Sequence, residues 1–122
     1  HLERLMRFVN PQETALISGK TPKQKRAAAI EDLRSGRKHY LFATYRLAKE
    51  GLDIPRLDRL YMAMPQKDYA VVTQSVGRIA RVAEGKEQPI CYDFVDQIGY
   101  CERAFKKRKT SYRKVGCQIW EQ

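Results

Sequence analysis

The sequence predicts an α/β domain: a parallel β-sheet with helices on both faces. Three observations carry that expectation. Four short apolar runs, Thr14 to Ile17, Tyr40 to Ala43, Leu60 to Met64 and Ile90 to Asp96, have the length and composition of strands. The stretches between them carry apolar residues at helical spacing. Strict alternation of this kind makes each connection a crossover, and crossovers join parallel strands. Right-handed crossovers then bring every strand's carboxyl end to one edge, where a site can be assembled.

Length and charge bound what the domain can do. With 122 residues the chain is one domain, long enough for a real core. Its 43% hydrophobic and 31% charged residues fit a soluble protein, and no apolar run approaches the ~20 residues of a membrane helix. The opening His1-Leu2-Glu3-Arg4 has no signal-peptide pattern and no initiator Met, so a fragment or proteolytic remnant is expected. The net charge of +10 favours a polyanionic partner, most simply nucleic acid, although a basic surface can also serve solubility alone. Cys91, Cys101 and Cys117 are odd in number and form no C-x-x-C pattern, so they read as reduced thiols in a cytoplasmic protein. Neither His1 nor His39 has a supporting motif for a catalytic cysteine. No metal site is expected.

Taken in order, Leu2, Leu5, Met6 and Val9 mark one side of a short helix that Asn10-Pro11 ends. After the first strand comes Ser18-Gly19-Lys20-Thr21, which imitates the end of a phosphate-binding loop. The loop's first glycine should stand at position 14, which is Thr14, and strand residues would occupy the loop itself. A phosphate loop is therefore rejected. Thr21 and Pro22 read instead as N-cap and first position of a helix reaching about Arg34. Its apolar side is Ala27, Ile30 and Leu33 with Ala29; Lys23, Lys25 and Arg26 face outward. Ser35-Gly36 closes it. Thr44 ends the second strand, followed by a helix-like run from Leu47 to Glu50 and by Gly51-Leu52-Asp53-Ile54-Pro55. Beyond the last strand, Ile98 to Lys114 is helical, with Cys101, Phe105 and Tyr112 inward and a dense basic set (Arg103, Lys106, Lys107, Arg108, Lys109, Arg113, Lys114) outward. That set is either a solvated face or a contact for nucleic acid or a neighbouring domain. Asp93 and Asp96 read as a strand end that orients nearby arginines, since no third ligand joins them. Val115 to Trp120 is a short apolar, strand-like tail with Trp120 packed against the domain.

The helix after Asp68, its expected cap, is the most informative element. Val72, Val76, Ile79, Ala80 and Ala83 form its apolar face, whereas Gln74, Arg78 and Arg81 fall at i, i+4 and i+7 on the opposite one. Gly77 leaves backbone uncovered among them. The group reads either as a solvated polar face or as a polyanion site, for which arginine is well suited.

Two motifs in order resemble a known family. Thr44-x6-Gly51-x-Asp53 resembles motif V of the superfamily 2 helicases, and Gln74-x2-Gly77-Arg78-x2-Arg81 resembles their motif VI. The gap between them, a strand and a turn, suits that family. The resemblance runs from about Leu2 to Asp96, is nearest to restriction-enzyme-like and phage-type DNA helicases, and covers only the second of their two RecA-like lobes.

The resemblance implies a RecA-like (P-loop NTPase-type) sheet. In the family this lobe opens with a strand carrying motif IV; here the sheet is expected to lack it or to take it from residues outside this chain. It implies a helicase lobe over 1–97, with 98–122 a basic helix and tail packed on the same domain. It implies ATP hydrolysis coupled to movement on nucleic acid, with ATP and Mg²⁺ held mainly by the N-terminal lobe. On this reading Arg78 and Arg81 are arginine fingers, Gln74 lies near the γ-phosphate, and Gly51 and Asp53 lie near ribose and phosphates. Thr44, with the motif IVa turn Gly19-Lys20-Thr21, contacts the nucleic-acid backbone. Tyr45 stands where DEAD-box members place Asp after the motif V Thr, and Gln74 where they place His. Both departures point away from DEAD-box RNA helicases and towards DNA-type relatives, and neither settles the substrate. The isolated chain is expected to be inactive. The alternative is a nucleic-acid-binding or protein-interaction module on a helicase-lobe fold, without catalysis.

Overall fold

The computed structural model describes residues 1–50 and 52–122. Gly51, expected beside the nucleotide, lies outside the described residues. The elements alternate as expected: α1 (Leu2–Met6), a 3-10 turn (Pro11–Glu13), β1 (Thr14–Ile17), α2 (Lys23–Ser35), β2 (Tyr40–Ala43), α3 (Tyr45–Lys49), β3 (Arg59–Met62), α4 (Tyr69–Ile79), β4 (Ile90–Asp93) and α5 (Gly99–Lys114).

Among the described residues all strand pairing is parallel, because α2 and α4 are crossovers. β1 pairs with β2, Thr14 opposite Tyr40 and Ile17 opposite Ala43. β3 pairs with β4, Arg59 opposite Ile90 and Met62 opposite Asp93. Among the described residues these are two separate two-stranded sheets rather than one continuous sheet. β2 shows it: in the strand expected to be buried, Leu41, Phe42 and Ala43 are only half-buried.

Each sheet has its own apolar cluster. Ala15, Leu33, Leu52 and Ile54 are buried together, with Ala29, Ile30, Leu41 and Leu57 around them. Met62, Val72, Val76 and Tyr112 form the second cluster, where α4 and α5 meet β3. Period-two alternation turns Met62 inward and Tyr61 outward. Tyr61 stacks with Tyr92 (ring centroids 5.0 Å apart) and with Phe94 (6.4 Å) on the exposed side of that sheet.

Local chemistry explains the element ends. Asp68 caps α4, its Oδ1 accepting from Val71 N at 3.1 Å. Gly36 follows α2 at φ +82°, the left-handed conformation that ends a helix without a Cβ penalty. Pro22, not Thr21, is the N-cap of α2. Thr21 is spent differently: its Oγ1 accepts from Ser18 N at 2.9 Å and closes the preceding turn. α1 ends at Met6, short of Val9.

Four outward or packed residues are placed otherwise than the sequence suggests. Ala27 and Ala80 are exposed. Trp120 is 83% exposed, and its tail forms no strand; Cys117 and Ile119 fold back on the second cluster instead. Arg108 is 1% exposed and lies on the buried stripe of α5 with Cys101, Ala104, Ser111 and Tyr112. The three cysteines are free thiols, and burial pushes Cys91 up to about 12, with Asp93 adding to it.

Candidate nucleotide and nucleic-acid site

β1 and β2 end side by side, so the turn Gly19-Lys20-Thr21 and Thr44 leave the same sheet edge. Gly19 and Lys20 are exposed, and a Cβ on Gly19 would meet nothing, so packing does not require the glycine. Thr44 is the N-cap of α3 and makes no side-chain capping bond; its carbonyl accepts from Leu47 N at 3.0 Å. The exposed hydroxyl is thereby left to that edge.

The segment after Gly51 is fixed by packing. Leu52 and Ile54 are buried in the first cluster, which turns Asp53 between them to the polar side. There the Asp53 carboxylate is paired with Arg81 through Oδ1 and Nη1. Arg34, in the last turn of α2, donates Nε to the Asp53 carbonyl at 2.7 Å and brings Nη2 to Oδ2 at 3.5 Å. The structure thus joins two expected site residues that are 28 positions apart, and adds a second cation that pattern reasoning passed over. Arg34 offered no signal of its own, because a basic residue in the last helical turn is ordinary complementation of the helix dipole.

Glu50, at the other end of the same segment, has two arginines as well. Arg46 Nε donates to Oε1 at 2.7 Å and Arg26 Nη1 to Oε2 at 3.2 Å. The Arg46 hydrogen bond holds the exposed carboxyl below its usual range; desolvation opposes it, and the charge of Arg46 and the hydrogen bond and charge of Arg26 add to the lowering. Arg26 therefore turns towards Glu50 instead of outward. Downstream, Lys86 Nζ donates to Pro55 O at 2.9 Å and to Arg81 O at 2.6 Å. Burial lowers the pKa of its ammonium, opposed by Asp58. The loop after α4 is thus tied to the segment holding Asp53.

Arg81 lies beyond the helix, not on it: α4 ends at Ile79 with Ala80 as C-cap. Gln74 and Gly77 are exposed on α4, and Arg78 is half-buried one turn after Gln74. The buried side is Val71, Val72, Ser75, Val76 and Ile79, which leaves the polar face where the spacing places it. Asp93 does orient an arginine, but it is Arg108, joined by two 2.7 Å hydrogen bonds. Among the described residues no group of three or more His, Cys, Asp or Glu is placed to hold a metal ion, and no helix is long and apolar enough to cross a membrane.

Comparison with known proteins adds an independent line. The model of the family described as the helicase conserved C-terminal domain matches residues 1–83. The chain is 30% identical over 100 residues, 82% of its length, to a protein of Escherichia phage T5 named "Probable helicase D10", of which it spans 22%. Among solved structures, the C-terminal domain of the DEAD-box protein Dbp5 superposes with a TM-score of 0.65 at 24% identity, over 93% of this chain and 61% of that one. The C-terminal part of the Fun30 ATPase domain superposes at 0.71 and 15% identity, over 91% of this chain and 37% of that one. The fold is RecA-like, as the motifs suggested.

Proposed function

Because the chain belongs to the helicase conserved C-terminal domain family, we propose that it is the second motor lobe of an ATP-dependent nucleic-acid translocase or helicase. The observation that carries this reading is the pairing of Asp53 with Arg81, which brings motifs V and VI together. Arg78 and Arg81 act on the γ-phosphate, Gln74 stands beside them at the lobe interface, and Gly51 and Asp53 line the nucleotide. A guanidinium stays charged at every relevant pH and offers a planar fork to phosphate oxygens, so this donor set fits ATP. ATP supplies the phosphoryl group whose transfer drives the motor; its Mg²⁺ is assigned to acidic residues of the first lobe. Thr44 with Gly19, Lys20 and Thr21 holds the nucleic-acid backbone, most simply of DNA. The motor surface is assigned to 1–97, with 98–122 as a basic extension of it, working in the cytoplasm.

Two expected results test the reading. The 122-residue chain alone hydrolyses no ATP, and adding the first lobe of the same enzyme gives turnover that nucleic acid stimulates. Turnover by the chain alone, or none after reconstitution, would count against it. The chain also binds single-stranded DNA weakly through charge, using the exposed Arg103, Lys106, Lys107, Arg113 and Lys114 of α5. Each phosphate neutralised steepens the fall of log K with log salt by about 0.7, so a handful of contacts gives a loss of about 10²-fold from 50 to 200 mM salt. Fluorescence anisotropy across that range checks it; a flat salt dependence removes the electrostatic track.

A further inference from the structure

We propose that Arg34 is a positioning residue, which holds Asp53 by main chain and side chain together and through it sets where Arg81 stands. The inference rests on the motor-lobe reading only for its consequence in turnover; the contact itself stands on the geometry.

The buried neighbours Leu52 and Ile54 fix the backbone of this segment but leave the Asp53 side chain free to rotate. A rotamer is held by polar contacts; Arg34 makes one with the carboxylate while anchored to the main chain of the same residue. Arg34 Nε grips the Asp53 carbonyl at 2.7 Å, while Nη2 of the same planar group meets Oδ2 at 3.5 Å. A rigid guanidinium bound at its Nε points its outer nitrogens in a set direction, so Oδ2 is drawn to Arg34 and Oδ1 is turned to Arg81. Arg81 needs such a hold. It lies past the end of α4, so no helix fixes its backbone, and its own carbonyl accepts from Lys86 Nζ. All three side chains are between 43% and 49% exposed, so the network contributes little to stability and its value lies in orientation.

Lysine cannot make this hold, because a single ammonium cannot span carbonyl and carboxylate in one plane. Arg34→Lys and Arg34→Ala should therefore behave alike. In the 122-residue chain with ¹⁵N-labelled arginine, the Arg81 Nε–H resonance (assigned with Arg81→Lys) shifts in both variants and in Asp53→Asn, with melting temperatures unchanged. In the intact enzyme, kcat of the nucleic-acid-stimulated ATPase falls by about tenfold in both Arg34 variants with KM nearly constant, the size expected of a misplaced rather than a missing group. An Arg81 resonance that ignores Arg34 overturns the contact. A shifted resonance with wild-type kcat, in an enzyme that Arg81→Ala cripples, overturns the positioning of catalysis. Should Arg81→Ala itself turn over normally, the finger reading falls, and the resonance alone decides for or against Arg34.

Discussion

Arg81→Ala and Arg78→Ala in the intact enzyme are each expected to lower kcat of the stimulated ATPase by on the order of 10³-fold, with KM changed far less. A finger acts on charge that develops on the γ-phosphoryl group in the transition state, so its loss raises the barrier without weakening ground-state binding to match. Arg→Lys at either position should rescue little, because the ammonium lacks the fork. The fold should survive. α4 buries Val72, Val76 and Ile79 on its other side. The Arg81 side chain is 43% exposed, and after its removal Asp53 keeps Arg34 as a partner. An exposed ion pair of this kind is worth about 0–1 kcal/mol. Steady-state kinetics beside melting curves separate the cases. Wild-type kcat in both variants would remove the finger assignment and put the non-catalytic binding module in its place.

How far the chain could be read in advance follows from which interactions are local. The α/β alternation, the Asp68 cap and the Gly36 terminus depend on residues within one or two turns, and each stands where the spacing puts it. Gln74 and Arg78 likewise share the exposed side of α4 because one helix carries both. Arg81 does not, because the helix stops two residues earlier with no glycine or proline at 80–82 to announce it. The Ser18–Thr21 turn shows a different limit: Thr21 had two possible uses for one oxygen, and the turn took it. Arg34 and Asp53 are 19 residues apart and Arg108 and Gln66 are 42 apart, separations at which periodicity is silent. Trp120, expected to pack, is 83% exposed.

Arg108, expected outward and found buried, gives the largest expected change in stability. A basic residue in a basic run normally lies outward, since a buried charge without partners is expensive. Here the partners exist but come from elsewhere in the chain. Nε and Nη2 donate to the two oxygens of Asp93 at the end of β4, both at 2.7 Å, and Nη1 donates to the Gln66 carbonyl before α4 at 2.8 Å. Tyr112, one turn later on α5, adds its hydroxyl to Asp93 Oδ2 at 2.6 Å. The side chains of Arg108 and Asp93 are 1% and 9% exposed. One guanidinium thus ties α5 to the second sheet and to the connection leading into the motif VI helix. Arg108→Ala leaves a buried carboxylate with a single donor and a carbonyl with none, which should cost about 3–5 kcal/mol, a large part of the 5–15 kcal/mol that typically holds a domain together. Arg108→Met should cost nearly as much although it restores volume, because the stranded charge and not the cavity dominates. Asp93→Leu combined with Arg108→Met removes both charges and should recover most of the loss, as apolar replacements of buried ion pairs often do. Chemical denaturation of the wild type, the single variants and the double variant measures the coupling as a thermodynamic cycle. Single variants within about 1 kcal/mol of wild type would show that this pair does not fasten α5 to the lobe.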